Sequence, residues 1–146
     1  VSTQPMSSSP GTLFLSALWG GAAASVFAPL LWPIVVLIEQ GRISFSFLFA
    51  LPSVAFIALL SGLVFSAIVG FPLLVLSQKA RLPATLVIAI GALVSVFLFS
   101  ALFSWPQSSW SLYAYVFTLG ALCSAVAVWK MRSNQALKRT CLRQAA

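Results

Sequence analysis

The chain is almost without acid. Glu39 is the single carboxylate, Asp and His are absent, and charged residues of either sign make up only 6% of 146 positions. A soluble domain carries about 25% charged residues. Paired-carboxylate catalysis, a Ser-His-Asp triad and a histidine metal site all need side chains that this sequence does not have. The two cysteines, Cys123 and Cys141, are too few for a disulfide framework or a zinc cluster. There is also no phosphate loop, no dinucleotide fingerprint and no stripe of charged or amide side chains that would line an aqueous pore. The composition therefore points away from an enzyme and implies no cofactor.

What is present is apolar. Hydrophobic residues make up 61% of the chain, and the few charges fall between four long apolar runs. A spanning helix needs about 20 predominantly apolar residues. The runs predict an all-α membrane protein with spans at about 13–38, 51–76, 82–103 and 110–130. They form one up-down-up-down bundle over residues 13–132. A polar start (1–12) is expected to be disordered. Residues 133–146 read as a basic cytoplasmic tail.

The second run, from Ile43 to Leu76, is too long for the roughly 30 Å hydrocarbon core. Pro52 offers a break, so the span is expected to start near Leu51-Pro52-Ser53. Residues 43–50 would then be an interfacial segment or a kinked extra turn. Pro83 opens the third span, Pro106 lies in the loop before the fourth, and Pro29 and Pro33 bend the outer half of the first. A cleaved signal peptide is the rival reading of the first run. It fits poorly, because its flank lacks Lys and Arg and the apolar stretch runs on past the Ala22-Ala23-Ala24 site.

Seven of the eight basic residues fall on one side of a four-span chain. Lys79 and Arg81 lie between spans two and three, and Lys130, Arg132, Lys138, Arg139 and Arg143 follow span four. Only Arg42 lies on the other side. Retention of positive charge puts the N-terminus, the middle loop and the C-terminus in the cytoplasm. Aromatic residues at headgroup level agree: Trp32, Trp105, Trp110, Tyr113 and Tyr115 mark the outer face, and Trp129 the inner. The basic residues follow spans and form no solvated face with interleaved aromatics, which argues for anionic lipid and against nucleic acid as their partner.

Glu39 is the one candidate for intramembrane chemistry. Its place at the far end of span one, beside Gln40 and Gly41, reads instead as an interfacial carboxylate. Arg42 pairs with it if the helix continues through that turn. A more regular pattern is the small residues. Ser16, Gly20, Ala24 and Ala28 recur every four positions in span one, as do Gly62, Ser66 and Gly70 in span two. Gly91 and Ser95 do so in span three, Gly120 and Ser124 in span four. Residues four apart share a helix face, and small ones let backbones approach in lipid. The ladder serves packing within the bundle, self-association into a homo-oligomer, or no purpose beyond composition. Leu63 and Leu74 lie off it and are expected to matter less if they face lipid. Hydroxyls such as Ser61 and Thr118 need only bond back to their own helix.

The stretch Gly70-Phe71-Pro72-Leu73-Leu74, with Ser77-Gln78-Lys79-Ala80-Arg81-Leu82 and the glycine-bearing span at Gly91, resembles a recurrent pattern in small four-span bacterial inner-membrane proteins. The segment Gly120 to Trp129-Lys130 looks like their last helix. That resemblance, over roughly residues 50–132, implies a multi-pass protein of the bacterial inner membrane and no particular activity. The end, Leu137 to Ala146, resembles C-terminal repeat ends that recur on unrelated small bacterial proteins, which implies a tail contributing charge and little else. The expectation is a non-enzymatic accessory or assembly component, with a membrane-protein partner or a second copy of itself as its companion. A small transporter or channel subunit is the second reading, and a holin-like pore former the third.

Overall fold

The computed structural model describes residues 9–42, 46–102 and 110–144. Among them the chain is almost wholly helical: α1 (Pro10–Gln40), α2 (Ser46–Phe65), a π-helical turn (Ser66–Gly70), α3 (Phe71–Lys79), α4 (Ala84–Leu102) and α5 (Trp110–Gln144). Four stretches are long and apolar enough to cross a membrane, with α2, the π turn and α3 together forming the second. Trp105 and Pro106 lie outside the described residues, as do residues 1–8 and 43–45.

Helix α1 starts earlier than its hydropathy implies. Ser9 is an extended N-cap whose hydroxyl accepts from the Thr12 amide, and Pro10 fills the first helical position. A proline costs nothing there, because that amide has no partner inside the helix. Residues 9–12 are thus a capped helix start and not disordered chain. At the other end Gly41 takes the left-handed conformation at φ 68° and donates its amide to the Leu37 carbonyl at 3.0 Å. Pro29 and Pro33 lie within α1 without ending it.

Pro52 does not break the second span either. Helix α2 begins six residues before it. An open backbone in lipid leaves several polar groups unsatisfied, whereas one interior proline forfeits a single hydrogen bond, so the helix persists. The irregularity appears further on, at Ser66–Gly70, where Phe71 donates back to the Ser66 carbonyl across five residues. Pro72 follows at once. Its ring would meet the carbonyl four residues back in an α-helix, and a wider turn relieves that clash.

The turn from α3 to α4 is a Schellman motif. Leu82 donates to Ser77 O at 3.0 Å and Arg81 to Gln78 O at 3.4 Å, with Arg81 itself left-handed at φ 52°. Pro83 then caps α4, accepting from the Leu86 and Val87 amides. Helix α5 runs through Lys130 and Arg132 and on to Gln144. The segment after residue 132 is therefore a continuation of the fourth helix, not a separate tail. No Gly or Pro follows Gly120 to stop it.

Helix α1 lies against both α2 and α5, and α5 in turn against α4. The up-down-up-down order shows in which ends meet. Leu13, Ala17, Leu74, Val87, Ala127 and Val128 make a buried cluster at the end where α1 begins, and the Phe14 and Phe71 rings meet edge to face 5.6 Å apart nearby. At the opposite end Trp32 of α1 meets Tyr115 of α5, with ring centroids 5.5 Å apart. The most buried side chains are small, such as Ser16, Ala17, Ala28 and Ala92, while Phe56, Ile68 and Phe97 point outward. Lipid tails are as apolar as these large side chains, so burial inside gains them little.

Candidate functional site

The small residues do not act alike, and their geometry separates closed helix seams from an open one. A methyl built on Gly62 of α2 would lie 2.5 Å from the Gly21 carbonyl oxygen and 2.9 Å from Ala24 Cβ. One on Gly21 would strike the Gly62 carbonyl in return. Gly20, one residue away and so on the other flank of α1, meets α5, where an added methyl would lie 2.6 Å from Cys123 O and 2.9 Å from Ala127 Cβ. Helices α4 and α5 interlock by a reciprocal pair. Gly91 faces the Ser124 side chain, and Gly120 faces Ser95, whose Cβ would be 2.7 Å from an added methyl.

Gly20, Ala24, Gly62, Gly91, Ser95, Gly120 and Ser124 are thus turned toward other helices of the same chain. Ser66 is buried beside Gly21. Gly70 is different. Its nearest neighbours to a new methyl are Ser66 Cβ at 3.6 Å and Ala17 Cβ at 3.8 Å, an ordinary contact that leaves room. Gly62 and Gly70, both on the four-residue ladder, therefore differ in how tightly they are packed. Leu74, expected to matter little if it faced lipid, is instead 2% exposed in the buried cluster. Gly21 escaped the four-residue ladder because it belongs to a second face. The Gly20-Gly21 doublet was the signal, since two adjacent glycines let one helix approach two neighbours.

The fourth seam stays open. Helix α3 meets α4, with Leu73 beside Gly91, while α2 and α4 scarcely touch. Between them lies a cavity of about 480 Å³. Val54, Ile57 and Ser61 form one wall, Leu98 and Phe99 the other, and Gly21, Gly120 and Cys123 belong to its floor on α1 and α5. It extends along the second span from Val54 to Leu74, roughly 30 Å of helix and about the thickness of the hydrocarbon core. Its hydroxyls are largely spent. Ser61 donates to Ile57 O at 2.8 Å, Ser95 to Gly91 O at 2.8 Å, and Tyr115 to Ala28 O at 3.4 Å. Thr118, outside the cavity, likewise bonds back to Ala114 O at 2.7 Å.

Charge divides the two ends of the bundle. Lys79 and Arg81 are exposed on the α3–α4 turn, and Arg132 is exposed on α5. Lys130 of α5 lies over the Trp19 ring of α1, 5.3 Å from its centroid. Gln78, on the same turn as Lys79, has a buried side-chain nitrogen without a hydrogen-bond partner. Glu39 is at the other end, where it accepts a hydrogen bond from the Ser111 hydroxyl of α5. The helix ends at Gln40, and Arg42 is exposed beyond the Gly41 cap. Cys141 is exposed on the α5 extension.

No family model, curated protein or solved structure matches the chain.

Proposed function

We propose that this is a non-enzymatic accessory or assembly component of the bacterial inner membrane, with both termini in the cytoplasm, that accommodates an apolar partner in the open seam between its second and third spans. The observation that supports the reading most is the cleft itself. Its walls are apolar, and the Ser61 and Ser95 hydroxyls among its lining bond back to their own helices. Such a site can hold an apolar body by shape but has no acid or base with which to transform it.

Purification in a mild detergent, with identification of what co-purifies, tests the proposal. A stoichiometric companion lost on widening or plugging the cleft supports it. A second reading, a small transporter, draws on the same ligand-sized volume, and solute or ion flux into liposomes would put it first. Orientation is checked by reporter fusions: cytoplasmic behaviour after Gln78 and after Arg132, periplasmic behaviour within residues 107–109. Periplasmic activity at the C-terminus would reverse the assignment.

A further inference from the structure

We infer that the gap between α2 and α4 binds a neutral lipid-like alcohol, an apolar body with one hydroxyl, which docks on the Ser66 hydroxyl and the backbone carbonyl of Ala67. The inference rests on the accessory reading and names the class of its apolar partner. The second span departs from α-helical bonding at Ser66–Gly70, and Ser66 and Gly70 both line the gap. In an α-helix the Ala67 carbonyl takes the amide of residue 71, and in a π-helix that of residue 72. Phe71 gives its amide to Ser66 O, and Pro72 has none to give. The Ala67 carbonyl is thus left without either helical donor.

Glycine keeps that carbonyl open. A helical carbonyl lies beside the side chains three and four residues on, as Ser25 bonded to Ala22 O and Ser61 bonded to Ile57 O show. For Ala67 these positions are Gly70 and Phe71, and the glycine leaves its flank bare. Packing does not demand a glycine there, since an added methyl would meet only ordinary contacts at 3.6 and 3.8 Å. A residue that weakens a helix and fills no tight seam is accounted for by the acceptor it uncovers.

A hydroxyl stands one residue away. Of those bordering the gap, Ser61 and Ser95 donate to their own helices, Tyr115 donates to Ala28 O, and Ser124 is packed on Gly91 in the α4–α5 seam. Ser66 is 7% exposed and, among the described residues, has no hydrogen-bond partner for its hydroxyl. It lies about 20–25 Å of helix from either end of the span, where no water reaches it. One alcohol serves both groups: its oxygen accepts from Ser66, and its proton goes to Ala67 O. The ligand is neutral because no acid lines the gap, and Glu39, the chain's only one, is bonded to Ser111 at the outer end of the bundle. Val54, Ile57, Leu98 and Phe99 offer the apolar body its walls, and exposed Ile57 marks a side open to lipid.

The test uses the full chain, delipidated in detergent, with tritiated hexadecanol binding read by scintillation proximity and competed with unlabelled hexadecanol or hexadecyl methyl ether. The ether keeps the apolar body and the acceptor oxygen but has no proton for Ala67. Hexadecanol is expected to compete about tenfold better than the ether, the scale of one hydrogen bond away from water. Ser66→Ala, which keeps the seam small, should weaken hexadecanol by about tenfold as well. Pro72→Ala supplies the missing amide and should weaken binding to the same degree without loss of stability in detergent. Ser61→Ala should leave binding within about twofold, because that hydroxyl is already given to Ile57 O. Absence of saturable hexadecanol binding, equal competition by the ether, or a Ser66→Ala effect no larger than that of Ser61→Ala overturns the inference. So does a photo-crosslinker at Ile57 that captures a polypeptide in place of the alcohol, although that result leaves the accessory reading standing. Solute flux into liposomes would remove the accessory reading without altering the dependence on Ser66 and Pro72.

Discussion

The seam between α1 and α2 and the gap between α2 and α4 share one helix and differ in what faces it. Toward α1, the second span presents Gly62 and Ser66 against Gly21 and Ala24, small against small, and the backbones close until a single methyl would not fit. Toward α4 it presents Val54, Ile57 and Phe65, and α4 answers with Leu98 and Phe99. These side chains are branched and aromatic, and in lipid no hydrophobic force draws the two helices together. The contrast teaches that a small residue closes a seam only when the facing helix is small at the same level.

The strongest way to break this contrast is to put bulk into the closed seam. Gly21→Leu or Gly62→Leu drives a side chain into facing backbone, which cannot rotate away. A loss of about 3 kcal/mol is expected, at the upper end of overpacking costs, measured by unfolding in detergent. Wild-type stability in both variants would show that the seam is not closed by backbone contact.

A smaller effect is expected where the obstacle is a side chain. Gly91→Ala meets the Ser124 hydroxymethyl group, which can shift, so a cost of about 1–2 kcal/mol is expected. Combining it with Ser124→Gly should recover most of that loss, because the two positions share one contact. Strict additivity of the two substitutions would break the reciprocal pairing of α4 and α5.

Gly70→Ala sharpens the comparison from the other side. It belongs to the same four-residue ladder as Gly62, but its methyl finds ordinary contacts at 3.6 and 3.8 Å. Stability should stay within about 0.5 kcal/mol of wild type, the preference of helices for alanine offsetting any crowding. A loss as large as that of Gly62→Leu would mean the ladder acts as a unit.

The smallest effect is expected outside both seams, at Glu39→Gln. The amide oxygen can accept from Ser111 as the carboxylate does, so accumulation in the membrane should be unchanged and stability should fall by about 0.5 kcal/mol or less. Abolition of a measured transport activity, in protein that still reaches the membrane, would instead make Glu39 a coupling group.

Much of this architecture is legible from hydropathy and charge. Each span is long and apolar enough to be committed to lipid on its own, so four helices and a basic end can be read without knowing how they pack. The candidate site is less legible. Gly20, Ala24 and Gly62 could be picked out by spacing, whereas Gly21 and the slack at Gly70 could not. Local backbone details also escaped: the Ser9 cap depends on three residues, and the π turn before Pro72 leaves no mark on hydropathy.

The sequence by itself determined how many helices enter the membrane, because transfer into lipid is a property of each segment's composition. Tertiary structure alone decided which faces meet, that Gly20 and Gly21 serve two different neighbours, and that α2 and α4 stand apart. The reason is that leucine and phenylalanine are as well solvated by lipid as by protein. Helix pairing is left to van der Waals fit between surfaces, which depends on the rotation and register of two helices at once and is written in neither alone.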